Sequence, residues 1–146
     1  MKSHAFRTAA VAGAIISLLG ISAPAHAKPD GVPAIPLNIG QEVTGSNTGA
    51  SGFFSYTVEG DELCYTLTAR DLSAQAVAAH IHLAPRNVAG AVVVPLEVGS
   101  GTSWTVDACT TPDPAVLAAI QAGPRSYYVN VHTPTFPGGE IRGQLK

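Results

Sequence analysis

The sequence feature that most constrains the fold is the stretch Tyr127–Leu145, YYVNVHTPTFPGGEIRGQL. Apolar and polar side chains alternate at both of its ends, and a period of two is typical of strands with two unlike faces. Its centre, Thr133–Gly139, contains two prolines and ends in Gly138-Gly139, residues that form turns at little conformational cost. The stretch therefore predicts a β-hairpin.

The alternation also predicts the register of this hairpin. Counted outward from the loop, the opposed pairs would be His132 with Glu140, Val131 with Ile141, and Asn130 with Arg142. The apolar pair would face a core, and the four polar residues would share the opposite face of the hairpin.

Six further segments have the alternation and composition of strands and are separated by turn residues. They are Leu37–Thr44, Gly52–Val58, Glu62–Arg70, Val77–Leu83, Ala91–Leu96 and Thr102–Ala108. Frequent short strands with turns between them favour antiparallel packing. The sequence therefore predicts an all-β fold, an antiparallel β-sandwich or barrel of about eight strands with one short helix.

The single helix is predicted over Pro112–Gly123. Asp113 can cap its N-terminus, Pro114 stands where a first-turn proline is favoured, and Gly123 followed by Pro124 ends it. Its apolar stripe, which should lie on the sheet, consists of Val116, Leu117 and Ile120.

Residues 1–27 have the features of an export signal. They combine a short positive start, an apolar run over Thr8–Ile21, and Ala25-His26-Ala27 as a small-x-small cleavage site. Residues 28–36 are predicted to be a flexible leader and residues 37–146 a single domain. No other apolar run is long enough to cross a membrane, so no span is expected after cleavage. These features predict a secreted protein, either extracellular or periplasmic.

Charge and motifs argue against several classes of function. The formal net charge is −2, and the basic residues form no cluster, which argues against nucleic acid as a partner. The sequence contains no G-x-S-x-G motif and no glycine-rich phosphate loop. No complete catalytic set is visible, and this favours a non-enzymatic function.

Cys64 and Cys109 are the only two cysteines. An even number of cysteines in an exported chain predicts one disulfide, which would tie the third strand to the segment that enters the helix. The alternative is a redox or metal-binding thiol pair, but the sequence has no CxxC spacing to support it.

His80-Ile81-His82 places two imidazoles on the same side of one strand, because residues i and i+2 of a strand point the same way. His132 lies on the polar side of a second strand, so all three histidines face away from the apolar side chains. If these strands are neighbours, three neutral imidazoles converge, and such a ligand set suits zinc or copper.

Asn130, Glu140 and Arg142 share the polar face of the hairpin and are candidates for outer partners or for a fourth ligand. The alternative to a metal site is a structural polar network. In that interpretation the histidines hydrogen-bond to backbone or carboxylate groups and fasten the hairpin loop to a neighbouring strand.

Two segments of the chain resemble a known family. Tyr127–Leu145 and the upstream segment AAHIHLAPRNVAGAVVVPL, Ala78–Leu96, are similar to signature segments of the CHRD domain. This module was first described in chordin and also occurs alone in secreted bacterial proteins. The resemblance covers residues 37–146 and implies a stand-alone bacterial secreted member. In chordin the domains belong to a secreted antagonist of growth factors, so the resemblance implies an extracellular binding or structural module.

A second resemblance is to copper–zinc superoxide dismutase. An HxH strand followed by a V-x-V-H strand, in a disulfide-bonded and secreted sandwich of this size, is similar to that enzyme. The further His and Asp ligands that its zinc site needs are not found in this sequence. Shared architecture would not by itself transfer the activity.

Two functions follow from these observations. The favoured one is a non-enzymatic binding or structural module that contacts an extracellular protein or glycan through the loop Thr133–Gly139. Outward-facing rings from Tyr127-Tyr128 and Phe53-Phe54, with Phe136, would add to that contact surface. The alternative is a metalloprotein that uses His80, His82 and His132 either to bind copper or zinc or for redox chemistry.

Overall fold

The computed structural model of the protein describes residues 33–146. The predicted export signal and residues 28–32 of the predicted leader lie outside the described residues. The last two leader residues, Ile35 and Pro36, belong to the first strand of the sheet. None of the described helices has the length and apolar character needed to cross a membrane.

Residues 33–146 contain eight strands, one α-helix and two single turns of 3-10 helix at Ile39–Gln41 and Pro124–Ser126. The strands are β1 Ile35–Asn38, β2 Ser51–Glu59, β3 Glu62–Arg70, β4 Ala78–Leu83, β5 Ala91–Leu96, β6 Trp104–Thr110, β7 Tyr127–His132 and β8 Ile141–Gln144. The helix, α1, is Pro114–Ala122.

All eight strands join one antiparallel sheet in the order β5-β4-β7-β8-β1-β2-β3-β6. The sheet curls into a nearly closed barrel or sandwich, which confirms the predicted all-β fold with one short helix. Its central pairing joins β4, β7 and β8, although a long segment containing β5, β6 and α1 separates β4 from β7 along the chain.

The concave face of the sheet encloses the apolar core. Every second side chain of β3 is buried, as its alternation predicts. The largest fully buried apolar side chains are Phe54, Leu37, Leu63, Leu67, Ile81, Ile120, Ile141 and Leu145. Each contributes roughly 1.5–3 kcal/mol through removal of apolar surface from water, so the core supplies most of the stabilising free energy.

The helix confirms its predicted start and its predicted apolar stripe. The Asp113 side chain accepts hydrogen bonds from the backbone N–H groups of Ala115 and Val116, and Pro114 follows it in the first turn. Leu117 and Ile120 are buried against the core. Val116, the third residue of the stripe, packs against the same cluster while partly exposed.

The first strand differs from its prediction. The sequence predicts a strand over Leu37–Thr44, whereas β1 begins at Ile35 and ends at Asn38. Asn38 is the last paired residue of β1, opposite Ser51 at the start of β2 and Arg142 of β8. The residues after Asn38 form a 3-10 turn instead, which releases the following segment to cross the convex face of the sheet.

Cys64 and Cys109 form the predicted disulfide. They are opposed residues of the paired strands β3 and β6, with Cα atoms 3.9 Å apart. Cys109 therefore lies within β6 and not, as predicted, in a segment between the last strand and the helix. The bond fastens the edge strand β6 to the rest of the sheet.

We expect the Cys64→Ser/Cys109→Ser variant to be less stable than the wild type. The disulfide closes a loop with a sequence separation of 45 residues. The loop-entropy relation gives about 4 kcal/mol for such a loop, because the cross-link limits the unfolded chain. Urea denaturation of the oxidised wild type, the reduced wild type and the double variant measures this difference. Equal stability of the oxidised wild type and the variant would contradict the expectation.

Candidate metal centre

Backbone pairing assembles a polar face on the convex side of β4, β7 and β8. In β7 and β8, Val131 lies opposite Ile141 and Asn130 opposite Arg142, as the hairpin register predicts. On the other side of β7, Asn130 lies opposite His80 of β4. Because side chains alternate between the two faces, the polar residues of the three strands lie side by side, away from the core.

The three histidines of the described chain gather on this face. One ring nitrogen from each of His80, His82 and His132 can be chosen so that all three atoms lie within 4.8 Å of one another. The ring centroids are 4.9 Å apart for His80 and His132, 5.5 Å for His80 and His82, and 5.7 Å for His82 and His132. We refer to these residues as the histidine cluster.

Backbone carbonyls fix the tautomers of two of the rings. His82 Nδ1 lies 2.9 Å from the carbonyl oxygen of Gly90, and His132 Nδ1 lies 2.9 Å from that of Pro137. A carbonyl oxygen only accepts, so both Nδ1 atoms donate, and in the neutral rings both Nε2 atoms carry lone pairs. Histidines that bind metal are oriented in this way, with the second ring nitrogen bonded to a carbonyl or carboxylate.

The third ring closes the cluster. His80 Nδ1 lies 3.0 Å from His132 Nε2, a distance at which an Nδ1–H group of His80 donates to His132. His82 Nε2 is buried and has no hydrogen-bond partner among residues 33–146. The cluster therefore holds one fully buried lone pair that the surrounding side chains do not satisfy.

Electrostatics keeps the cluster neutral. Burial lowers the pKa of His80, His82 and His132, because the charged imidazolium loses hydration. The neighbouring imidazoles lower the pKa of His80 further, and His82 has the same effect on His132. Hydrogen bonds with Gly90 and Asn130 offset part of the effect for His82, and one with Pro137 does so for His132. Neutral rings keep their lone pairs, and a metal ion requires these.

Most of the polar face is covered, and His80 is the one residue of the histidine cluster that is half-buried and not buried. Arg142 is 0% exposed and donates to the carbonyl oxygens of Pro85 and Val88, both at 2.9 Å, in the loop between β4 and β5. Its guanidinium carbon lies 3.2 Å from the centroid of the Tyr128 ring, which stacks on His82 at a centroid distance of 4.8 Å. Arg142 therefore fastens this loop over the sheet and is no metal ligand, because it has no lone pair to offer.

The prediction that one ring of Tyr127-Tyr128 faces outward is wrong. Tyr127 is 6% and Tyr128 is 3% exposed. The sequence alternation correctly places the two rings on opposite faces, but the loop between β4 and β5 covers the convex one. The hydroxyl group of Tyr128 accepts a hydrogen bond from the backbone N–H of Gly90, which ties the ring to that loop.

Glu140 serves as an anchor for three loops. One carboxylate oxygen accepts from the Thr48 hydroxyl and the Ser73 backbone N–H, and the other from the Ser73 and Thr133 hydroxyls, all at 2.8 Å. Burial by itself would raise the pKa of Glu140, but these bonds stabilise the ionised form and lower the pKa below its ordinary value. Its acceptor capacity is used in this way, so Glu140 does not act as a fourth ligand.

Glu42 is the residue of this site that the sequence analysis does not identify. It follows the 3-10 turn after β1, and no periodicity or motif marks it. Burial raises its pKa to about 7, although the charge of Arg142 and a hydrogen bond with Asn130 act in the opposite direction. Gly139, with a φ of +126°, passes so close that a Cβ there would lie 2.5 Å from both Asn130 Nδ2 and Glu42 Oε1.

The comparisons with known proteins agree with the architecture. A sequence profile of the CHRD domain matches residues 34–145, which includes every strand of the sheet. No curated protein and no solved structure gives a significant match.

We expect Glu140→Gln to destabilise the protein at pH 7. The amide group cannot accept all four hydrogen bonds, and each charge-assisted bond is worth roughly 1.5–3 kcal/mol, so a net loss of about 2–4 kcal/mol follows. The pKa of Glu140 is lowered in the folded protein, so this stability is present above the ordinary value of 4.5 and is lost as the pH falls through the folded value. Urea denaturation at pH 7 and pH 3 tests both statements.

The matched control for this experiment is Glu59→Gln at the exposed end of β2. It should leave stability nearly unchanged at both pH values. A Glu140→Gln effect of the same size as the control effect would show that the four bonds contribute no net stability.

Glu42→Gln should have the opposite pH dependence. The pKa of Glu42 rises from 4.5 to about 7 on folding, so the neutral form is favoured and stability is lost as the pH increases through this range. An amide mimics the neutral acid, so the variant should match the wild type near pH 4.5 and exceed it at pH 8 by about 1–2 kcal/mol after solvent screening. Denaturation profiles against pH, with exposed Asp61→Asn as control, measure the difference. A stability difference between wild type and Glu42→Gln that does not change with pH would contradict this expectation.

Proposed function

The chain belongs to the CHRD domain family, and we propose that it acts outside the cytoplasm as a non-enzymatic binding module. We propose further that its ligand is one copper or zinc ion, held by His80, His82 and His132. The family membership supports the proposal of a binding module, and the geometry of the histidine cluster supports the proposal of a bound ion.

The observation that carries the metal proposal is the hydrogen bonding of the two ring nitrogens of His82. Its Nδ1 donates to Gly90, so its Nε2 presents a lone pair to the interior of the cluster, where residues 33–146 provide no donor for it. A buried acceptor without a partner costs roughly 1–3 kcal/mol. A metal ion bound at Nε2 removes this cost and uses the lone pairs of the neighbouring rings as well.

The dimensions of the cluster are close to those that such an ion needs. Zinc–nitrogen bonds are about 2.0–2.1 Å long, so nitrogen ligands of one ion lie at most about 4 Å apart. The separations of up to 4.8 Å in the cluster exceed this limit, so the rings would have to move closer together to hold an ion. Neutral imidazole ligands suit both zinc and copper, and for divalent ions copper binds a given nitrogen site more tightly than zinc.

A purely structural network explains less of the geometry. It accounts for the contact between His80 and His132 and for the two hydrogen bonds to Gly90 and Pro137. It can satisfy His82 Nε2 only in the protonated ring, through a hydrogen bond with Asn130, and burial disfavours that form. A metal ion would satisfy the neutral ring and would account for three imidazoles in one small volume.

Three features support a location outside the cytoplasm. These are the membership of the CHRD family, the disulfide between Cys64 and Cys109, and the export signal that the sequence predicts in residues 1–27. Disulfides persist mainly in oxidising compartments. Whether that compartment is the periplasm or the medium does not affect the chemistry of the histidine cluster.

An extracellular protein or glycan as a further partner stays a prediction. Of the aromatic side chains expected to form a contact surface, Tyr128 is buried, Phe53 is 43% exposed and Phe136 is half-buried. We do not extend the proposal to superoxide dismutation. A two-metal site would need a second group of ligands, and one group of three or more converging ligands is found among residues 33–146.

We expect the purified, chelator-stripped chain to bind one equivalent of Cu(II) or Zn(II). The His80→Ala/His82→Ala variant should bind at least about 100-fold more weakly, because loss of even an outer-shell partner of a metal ligand costs 10–100-fold in affinity. Isothermal titration calorimetry measures both values, and thermal unfolding should show stabilisation of the wild type by the ion.

The control is Gln121→Ala on the exposed side of α1, which should bind as the wild type does. Absence of binding by folded, disulfide-bonded wild type would rule out the metal function and leave the histidines with a structural role.

A further inference from the structure

Asn130 occupies the centre of the polar face and is 1% exposed. It lies opposite His80 on one neighbouring strand and opposite Arg142 on the other. Its Nδ2 group donates to the carbonyl oxygen of Gly138 at 3.3 Å and also contacts the Glu42 carboxyl. These contacts fix the orientation of the amide and leave Asn130 Oδ1 buried without a donor among the described residues.

A second unpaired acceptor, His82 Nε2, belongs to the same group of residues, and the Asn130 side chain is close enough to His82 to affect its pKa. Asn130 can hydrogen-bond to His82 only when Nε2 carries a proton. With the ring proton on Nδ1, which donates to Gly90, His82 Nε2 and Asn130 Oδ1 are both acceptors, and neither satisfies the other. A metal ion bound to Nε2 satisfies the imidazole nitrogen but not the amide oxygen. The amide oxygen must either bind the ion itself or accept a hydrogen bond from an O–H group.

The ligand chemistry favours the O–H donor. Amide oxygens are characteristic ligands of hard ions such as calcium, whereas zinc and copper bound by three imidazoles commonly take water in the remaining position. A bound water has two O–H groups, and one of them can donate to Asn130 Oδ1. The arrangement then satisfies both acceptors with a single ion and its water.

We infer that the ion held by His80, His82 and His132 carries one exchangeable water, positioned by Asn130 Oδ1, and that small inorganic anions bind the ion by displacing this water. This inference rests on the proposed function. The exchange is a ligand substitution in which water leaves, the anion donates an electron pair to the ion, and no electron is transferred.

Access and charge both support the exchange. His80 is half-buried, whereas His82 and His132 are buried, so the cluster reaches the surface on the His80 side. Arg142 is paired with Asn130 in the sheet, and its positive charge acts on His82, so it adds positive potential at the histidine cluster. The Glu42 carboxyl opposes this charge when it is ionised.

The test uses the chain loaded with one equivalent of Cu(II) and titrated with sodium azide. We expect one azide per copper, detected by a new charge-transfer band, with the nitrogen couplings of three imidazoles retained in the electron paramagnetic resonance spectrum. Pulsed measurements in deuterium oxide should show exchangeable deuterons next to the copper, and azide should remove them. Both results concern the wild type, so they do not depend on a variant that folds.

Two substitutions should change azide affinity in opposite directions. Asn130→Ala removes the acceptor of the bound water, so azide should bind roughly 2–10-fold more tightly, since one neutral hydrogen bond contributes about 0.5–1.5 kcal/mol. Asn130→Asp keeps an acceptor and adds negative charge, so azide should bind at least about 10-fold more weakly. A merely structural role of Asn130 would not produce shifts of opposite sign.

Gln144→Ala is the matched control. Gln144 is another amide on this face of the sheet, its Oε1 is also buried without a partner, and its Nε2 donates to Ala84 and Arg125 away from the histidines. Azide affinity should not change in this variant. Copper bound through three imidazoles without exchangeable deuterons and without an azide response would overturn the inference and leave the metal proposal intact. Failure of the wild type to bind copper would overturn both.

Discussion

The pairing of β7 with β4 on one side and β8 on the other is the interaction on which the rest of the structure depends. It places His80 beside Asn130 and Asn130 beside Arg142 in one row across three strands. Strand geometry then requires their apolar neighbours, including Ile81, Val131 and Ile141, to point into the core. The same backbone hydrogen bonds therefore build the core and the polar face, and a shift of register by one residue would destroy both.

Burial of this polar face explains the structure of the surrounding loops. A buried charge needs partners, and the loop between β4 and β5 provides carbonyl groups for Arg142, while three other loop segments provide donors for Glu140. The two residues act as anchors on opposite sides of the cluster. Their contacts hold Gly90 and Pro137 where these residues can orient His82 and His132. Loop packing thus controls the tautomers of the candidate ligands.

The features that depend on the alternation of neighbouring residues could be predicted from the sequence. Alternation gave the strand boundaries of β3 and β5, the register of the final hairpin and the side of each strand on which the histidines lie. The adjacency of β4 and β7 could only be predicted as a condition, because four elements separate these strands along the chain. The position of Glu42 in the site and the burial of Tyr128 result from loops that cross the sheet from distant parts of the sequence. The periodicity of the sequence does not indicate such contacts.

The distribution of unsatisfied polar atoms argues that the polar face is maintained for a function. Five of the seven buried side-chain atoms without a hydrogen-bond partner in the described chain belong to this face or to the loop over it. They are Glu42 Oε1, His82 Nε2, Asn130 Oδ1, Arg142 Nε and Gln144 Oε1. Each costs roughly 1–3 kcal/mol if it stays unpaired, and apolar side chains of similar size would avoid that cost. Two of the five, His82 Nε2 and Asn130 Oδ1, are acceptors at the histidine cluster, and the proposed ion with its bound water would satisfy both.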